Sequence, residues 1–480
     1  MARPTRRDLF RLAAAAPLAP LLGACTGEPD AAATTPAMTS ATTSATTAGP
    51  STPARVLIRG ASSVLTMTAQ GELSGADILV EDGTITAIGS VPDVPEGTEI
   101  IDAADCVALP GLVDTHWHMW NSVARGMAAT AKGGFAPSMA ALSPLFTPEH
   151  HALGVRLAIA EGLAAGITTV HNWAHNTRSA EHAEAELSAM TASGIRGRLA
   201  YGYPQDIAAD RTMDLDHLAQ LAGRMPEGLV SLGICARGPD RSDTATWQAE
   251  WAAARELGLP ITTHAASDPD AAALGGIAAL AAADGLGADV QLVHLTGATT
   301  AQMDLAARSG SPVSISPWTE LEVGYGIPPV AELQDAGVAL GLSVDNVVLA
   351  GSIDMFSVMK LTADLAAGSR RTQSVVTDAT VLEWATAGGA ATLGLGDVAG
   401  TLAVGRPADV VLVRTDRIGT APVKDATTLL VRAAHPADVD LVMVDGVIHK
   451  RDGRLVGIDV PALLDESAQA LAELRAQAGI

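Results

Sequence analysis

The run PGLVDTHWH at residues 110–118 divides the chain into two textures. Before it, over residues 55–110, short β-rich runs such as 56–59 and 76–80 alternate with turns, which predicts a small β-sheet domain. From it onward, a short apolar strand followed by an Ala-rich amphipathic stretch recurs, the pattern of parallel β/α units. Eight strands are predicted, centred on 112–116, 167–170, 198–201, 230–234, 260–264, 290–294, 312–316 and 338–345. Helices are predicted over 149–165, 181–193, 244–257, 270–284 and 299–309, between those strands. A (β/α)8 barrel of the TIM type over residues 111–393 uses all of them. The β texture returns at 408–413 and 439–446, so residues 55–110 and 394–457 are expected to form one composite β-sandwich domain, followed by a terminal helix in 458–480.

In such a barrel the reacting groups stand at the C-terminal ends of the strands. Six of the twelve histidines fall there: His116, His118, His171, His175, His264 and His294. The other six, His150, His151, His182, His217, His435 and His449, read as ordinary core or surface residues. His116 and His118 flank Trp117, and the two-residue period of an extended segment turns both imidazoles to one side, where two nitrogens can bind one cation. Asp345 closes the eighth predicted strand and His264 the fifth, so the set becomes three histidines and one aspartate. That set suits Zn2+, with Fe2+ or Mn2+ as alternatives, and leaves a position for water. Four of the seven tryptophans, Trp117, Trp120, Trp173 and Trp318, follow strands one, two and seven, with Tyr201 and Tyr325 nearby. They are expected to wall a pocket for a planar or cationic substrate, although each reads equally as loop packing. His175 and Arg237 complete the expected substrate contacts, Arg237 through a carbonyl or carboxylate or else as a structural ion pair.

The 480 residues are 48% hydrophobic and 17% charged, enough for a large barrel with an accessory domain. A net charge of −23 repels nucleic acid phosphates and anionic membrane surfaces, which points to a small neutral or cationic substrate. Three cysteines without CxxC spacing give no support to a disulfide framework or a thiolate cluster. Residues 1–25 carry TRRDLF at 5–10 and an apolar run at 12–22, which resembles a twin-arginine export signal. LGAC at 22–25 resembles a lipobox, which would put a lipid on Cys25; an ordinary cleaved signal with an incidental cysteine is the alternative. Residues 26–54, rich in Thr, Ser, Ala and Pro, read as a flexible tether. The expected address is outside the cytoplasm, with the lipid anchor as the only membrane attachment and a homo-oligomer compatible with the sequence.

PGLVDTHWH resembles the amidohydrolase signature PGLVDxHxH, GITTV at 166–170 is similar to that superfamily's second-strand motif, and GTLAVGRPADVV at 400–411 resembles its re-entry into the β domain. The likeness runs from about residue 55 to residue 457. Residues 328–337, 342–345 and Asp354-Met355-Phe356 are similar to the branch of triazine hydrolases and of cytosine, guanine and adenosylhomocysteine deaminases. The resemblance implies His116, His118, His264 and Asp345 on the metal, with His294 contacting substrate or water. It also implies a single metal, because binuclear members use a carboxylated lysine near strand four, where residues 230–240 hold Arg237 and no lysine. Asp345 is the first candidate for the base. Deaminases of the branch carry His-x-x-Glu on strand five, whereas this chain has His264-Ala265-Ala266-Ser267, so Glu320 or Glu322 would have to reach in instead. The expected function is hydrolysis of an amide, amidine or ring C–N bond. Deamination or dehalogenation of an N-heterocycle is the alternative, and a binding protein on an inactive scaffold the second alternative.

Overall fold

The computed structural model describes residues 53–422 and 424–480. The export signal, Cys25 and nearly all of the tether lie outside the described residues.

Eight parallel strands form the barrel: Leu112–Trp117, Ile167–Ala174, Arg196–Tyr201, Val230–Ala236, Ile261–Ala265, Val290–His294, Val313–Ile315 and Leu340–Leu342. They pair in sequence order, and their near-continuous burial is what parallel strands covered on both faces require. Two backbone bonds join the ends of the series: Asp345 N–H donates to His116 O at 3.0 Å, and His118 N–H to Asp345 O at 2.6 Å. The barrel is thus joined at the residues on which its chemistry was expected to rest. Strand eight, Leu340–Leu342, is shorter than predicted at both ends: Val338 N–H still bonds Leu333 O of the preceding helix, and beyond the ladder the chain turns at Asp345 to φ +62°.

Several helix ends are set by capping residues. Thr147 accepts from His150 N–H at the start of Pro148–Ala164, and Gly194 ends Ala180–Ser193 in the left-handed conformation. The single helix expected over 270–284 is two, Pro269–Ala273 and Gly276–Ala282, separated by Gly275 at φ +77°. Gly154 allows a close approach: a Cβ there would lie 2.2 Å from Trp120 O, so only glycine lets helix Pro148–Ala164 pack onto the short 3-10 helix Met119–Ala124.

The second domain is one nine-stranded mixed sheet. Its N-terminal strands meet its C-terminal strands where Cys106–Pro110 pairs antiparallel with Val410–Arg414. It has its own core, including Val56, Ile58, Ile78, Leu412 and Met443. A buried bidentate pair, Arg196 to Asp409 at 2.7 and 3.0 Å, ties it to the start of barrel strand three. The terminal helix Val460–Ala478 packs its Leu463, Ala470 and Leu474 into the cluster that contains Trp120 and Phe146.

Candidate active site

Four donor atoms from three strand ends converge. Nε2 of His116 lies 3.2 Å from Nε2 of His118 and 3.3 Å from Nε2 of His264. Oδ1 of Asp345 lies 3.4 Å from the first and 3.2 Å from the second. Bonds of about 2.05 Å in a tetrahedron put ligand atoms about 3.3 Å apart, and these four separations match that spacing, with His116, His118 and His264 forming one mutually close triad. His294 joins His116 and Asp345 in a second triad of mutually close ligand atoms. Burial lowers the pKa of His116, His118 and His264, which leaves neutral imidazoles with lone pairs to donate. Burial pushes the Asp345 carboxyl up, but the His116 hydrogen bond and the His118 and His116 imidazoles outweigh it and hold it ionised. The donor set therefore fits a divalent metal in charge and in spacing.

The surroundings hold these groups in strained positions. Ala266, His294, Leu295 and Asp345 all have positive φ, between +45° and +80°, at the ends of strands five, six and eight. Non-glycine residues persist there only when their neighbours over-determine them. Asp114 is one such neighbour: its fully buried carboxylate accepts from His116 N–H at 3.1 Å and from Val344 N–H at 3.0 Å, clamping strand one to strand eight. Thr319 donates its hydroxyl to Asp345 Oδ2 at 2.7 Å, and Asn346 donates to Oδ1 at 3.1 Å. Trp173 stacks on His264 at 4.1 Å and meets His116 edge-on at 4.8 Å, which sets the ring of His116, whose Nδ1 has no polar partner.

The expected pocket walls are placed differently. Trp117 is fully buried against Gly162 of the helix behind strand one, because the alternation that turns His116 and His118 inward turns Trp117 outward. Trp120 is also fully buried and donates Nε1–H to His175 Nδ1 at 3.2 Å, while Trp173 lies beneath the imidazoles. Trp318 is half exposed at the rim, bonded to Ser357 Oγ, and borders no part of the cavity. The Tyr201 hydroxyl is engaged with His217. Arg237 borders the cavity, but its guanidinium donates to the carbonyls of Ile207, Ala208 and Arg211 and lies over the Tyr203 ring, bracing a loop. His171 bonds Thr115 O at 3.1 Å inside the barrel and takes no part in the cluster.

His175 and His294 do face the cavity, which has two lobes of about 90 and 180 Å³. Glu320 does not: it is fully buried behind His294, with Oε1 3.0 Å from His294 Nδ1 and accepting from Ser316 N–H. Burial raises its pKa, against the opposing pull of His294. Glu322 is exposed on the last turn of helix Pro317–Glu322, and Ser267 is buried. Among the described residues no glutamate therefore replaces the strand-five glutamate inside the cavity; Glu320 reaches it through His294. The lining also includes Tyr325, one of the aromatics expected near the pocket, together with Phe135, Met139, Gln205, Arg241 and Asn346, which were not singled out from the sequence. Arg241 and Tyr325 come from loops after strands four and seven, where no periodic pattern marks a side chain as inward.

The amidohydrolase family model matches residues 107–449. The 5-methylthioadenosine/S-adenosylhomocysteine deaminase of Halobacterium salinarum is 29% identical over 427 residues, covering 85% of this chain and 96% of that protein. An isoxanthopterin deaminase from an unknown prokaryotic organism is 28% identical over 481 residues, covering 88% and 98%. Among solved structures, an adenosine deaminase from Xanthomonas campestris with bound zinc superposes with a TM-score of 0.79 at 25% identity, over 88% of this chain and 98% of that one. An atrazine chlorohydrolase from Arthrobacter aurescens, complexed with zinc, shares the fold with a TM-score of 0.78 at 23% identity, over 87% and 99%.

Proposed function

This chain belongs to the amidohydrolase family and is a hydrolase of non-peptide carbon–nitrogen bonds, and from that premise we propose that it acts on a nitrogen heterocycle with one zinc ion held by His116, His118, His264 and Asp345. The observation that carries the proposal is the convergence of four neutral or anionic donor atoms at 3.2 to 3.4 Å on the rim where barrel enzymes react. The metal would supply Lewis acidity that makes water nucleophilic near neutral pH.

The chain supplies the rest. Asp345 takes the proton of the attacking water on its carboxylate and returns it to the leaving nitrogen, with Thr319 and Asn346 keeping the carboxylate in place. Glu320 holds the proton of His294 on Nδ1, so Nε2 is left to accept from the substrate and the imidazolium is stabilised when it does. That pair handles the proton which a strand-five glutamate would otherwise carry. Names of similar proteins support a heterocyclic substrate, since they are deaminases of adenosyl compounds and of isoxanthopterin.

Zinc-loaded and chelator-stripped protein should be screened against N-heterocycles, cyclic amides and N-acyl compounds for released ammonia or halide. Ammonia release restored by zinc is the expected result. Turnover indifferent to the chelator, or metal bound with no turnover on any class, would replace this reading, the latter with a binding protein on an inactive scaffold. We further propose export and lipid attachment at Cys25. Cys25→Ser should then leave the membrane fraction while keeping its activity, and unchanged membrane association would remove the lipobox from the account.

A further inference from the structure

His118 and His175 meet through their Nδ1 atoms at 2.9 Å. His118 turns its Nε2 to the metal-binding point, so in the neutral ring its proton is on Nδ1 and is donated to His175. Trp120 Nε1 points at the same His175 Nδ1 from 3.2 Å, and an indole nitrogen can only donate. Two donors aimed at one nitrogen leave that nitrogen bare. The proton of His175 then sits on Nε2, and because Nδ1 is turned back onto His118 and Trp120, Nε2–H is the polar edge that His175 brings to both lobes of the cavity.

Arg241 borders both lobes as well. Its Nη1 lies 3.5 Å from His264 Nδ1, its guanidinium also hydrogen-bonds the Tyr325 side chain, and it enters no ion pair among the described residues. Asp345 is the only carboxylate on the lining among the described residues, and the proposed site commits it to the metal. Inside a chain of net charge −23, the cavity thus carries, beside the accepting His294 Nε2 and Asn121 Oδ1, a donor pair with positive charge in His175 and Arg241, the reverse of the neutral or cationic preference that overall charge suggests.

We propose that His175, fixed as the Nε2–H tautomer by His118 and Trp120, forms with the Arg241 guanidinium a donor subsite for a carbonyl or carboxylate oxygen, so the preferred substrate is an oxo-substituted or carboxylated heterocycle. The proposal rests on the reading above that this cavity holds the substrate. A substrate with amino donors in place of the oxygen leaves both protein donors unpaired in a half-enclosed site, which is costly.

Two measurements on the zinc-loaded protein test it without turnover. In nitrogen-15 NMR of the histidine rings, His175 should show a protonated Nε2 and a bare Nδ1 whose signal moves in Trp120→Phe. A proton on Nδ1 would overturn the tautomer. In calorimetric titration with uracil and 2,4-diaminopyrimidine, the same ring with carbonyls exchanged for amines, uracil should bind about tenfold or more tightly, the scale of a hydrogen bond to a charged group. Arg241→Met, an exposed change that leaves the zinc ligands intact, should remove most of that preference, and so should His175→Phe at equal zinc content. Equal affinities, a reversed preference or no binding of either probe overturns the donor subsite. Uracil preference in a protein that releases no ammonia counts against the hydrolytic reading alone.

Discussion

Two buried groups of histidines lie within one fold and differ in how their nitrogens are satisfied. In one, His151 bonds Glu186 at 2.7 Å, Glu186 accepts from Asn172 at 2.6 Å, and His182 bonds the Phe146 carbonyl at 3.1 Å. In the other, His116, His118 and His264 aim bare Nε2 atoms at one another and at Asp345. Burial lowers the histidine pKa values in both. Burial and a shifted pKa therefore do not separate a structural cluster from a reactive one. Convergence of lone pairs without intervening protons does, because only a cation makes that arrangement favourable.

The largest effect should come from the convergent group. Asp345→Asn keeps an oxygen beside the imidazoles but removes the proton acceptor, so turnover should fall by roughly 10² or more with metal partly retained, read by steady-state kinetics and elemental analysis. Full activity in that variant would move the base elsewhere. Glu320→Gln comes next: Oε1 of the glutamine can still accept from His294, but the charge is gone, and a loss of roughly 10- to 100-fold in kcat with metal content unchanged is expected. Loss of metal instead would place His294 among the ligands.

The satisfied group should answer in stability. Burial raises the Glu186 pKa from 4.5 to about 8 in the folded state. The fold therefore prefers the protonated acid; that contribution is complete below pH 4.5 and declines as pH rises toward 8. Glu186→Gln, which can donate to His151 and accept from Asn172, should gain melting temperature relative to the native chain across that window and level off above it. Parallel melting curves over the window would mean that Glu186 is ionised and paired with a charged His151. Ser267→Ala should change neither rate nor stability appreciably, and a loss matching that of Asp345→Asn would return the proton path to strand five.

Much of the fold was legible because parallel strands buried on both faces are short apolar runs, and residues 167–170, 230–234 and 290–294 are plain examples. Strand eight was overextended, since composition does not record that Asp345 turns to positive φ. The break at Gly275 had a signal, the Gly-Gly pair at 275–276 inside a helical run. The strand-end rule groups His116, His118, His264, His294 and Asp345, and the fold places them at one rim. Trp117 was misplaced although the same two-residue period that paired His116 with His118 turns it outward. Glu320 was located along the chain but not in rotation: on the first turn of a helix it faces His294 and not the cavity. Tyr325 was legible as an aromatic just past strand seven, whereas Arg241 had no signal, because the folded barrel alone decides which loop residues lean over its mouth.

The most direct test of the account is the location of the metal. Crystals of the zinc-loaded protein, measured on both sides of the zinc absorption edge, should show one anomalous peak per chain between Nε2 of His116, His118 and His264 and Oδ1 of Asp345. Two peaks in the barrel mouth, or one peak away from those four atoms, would contradict it.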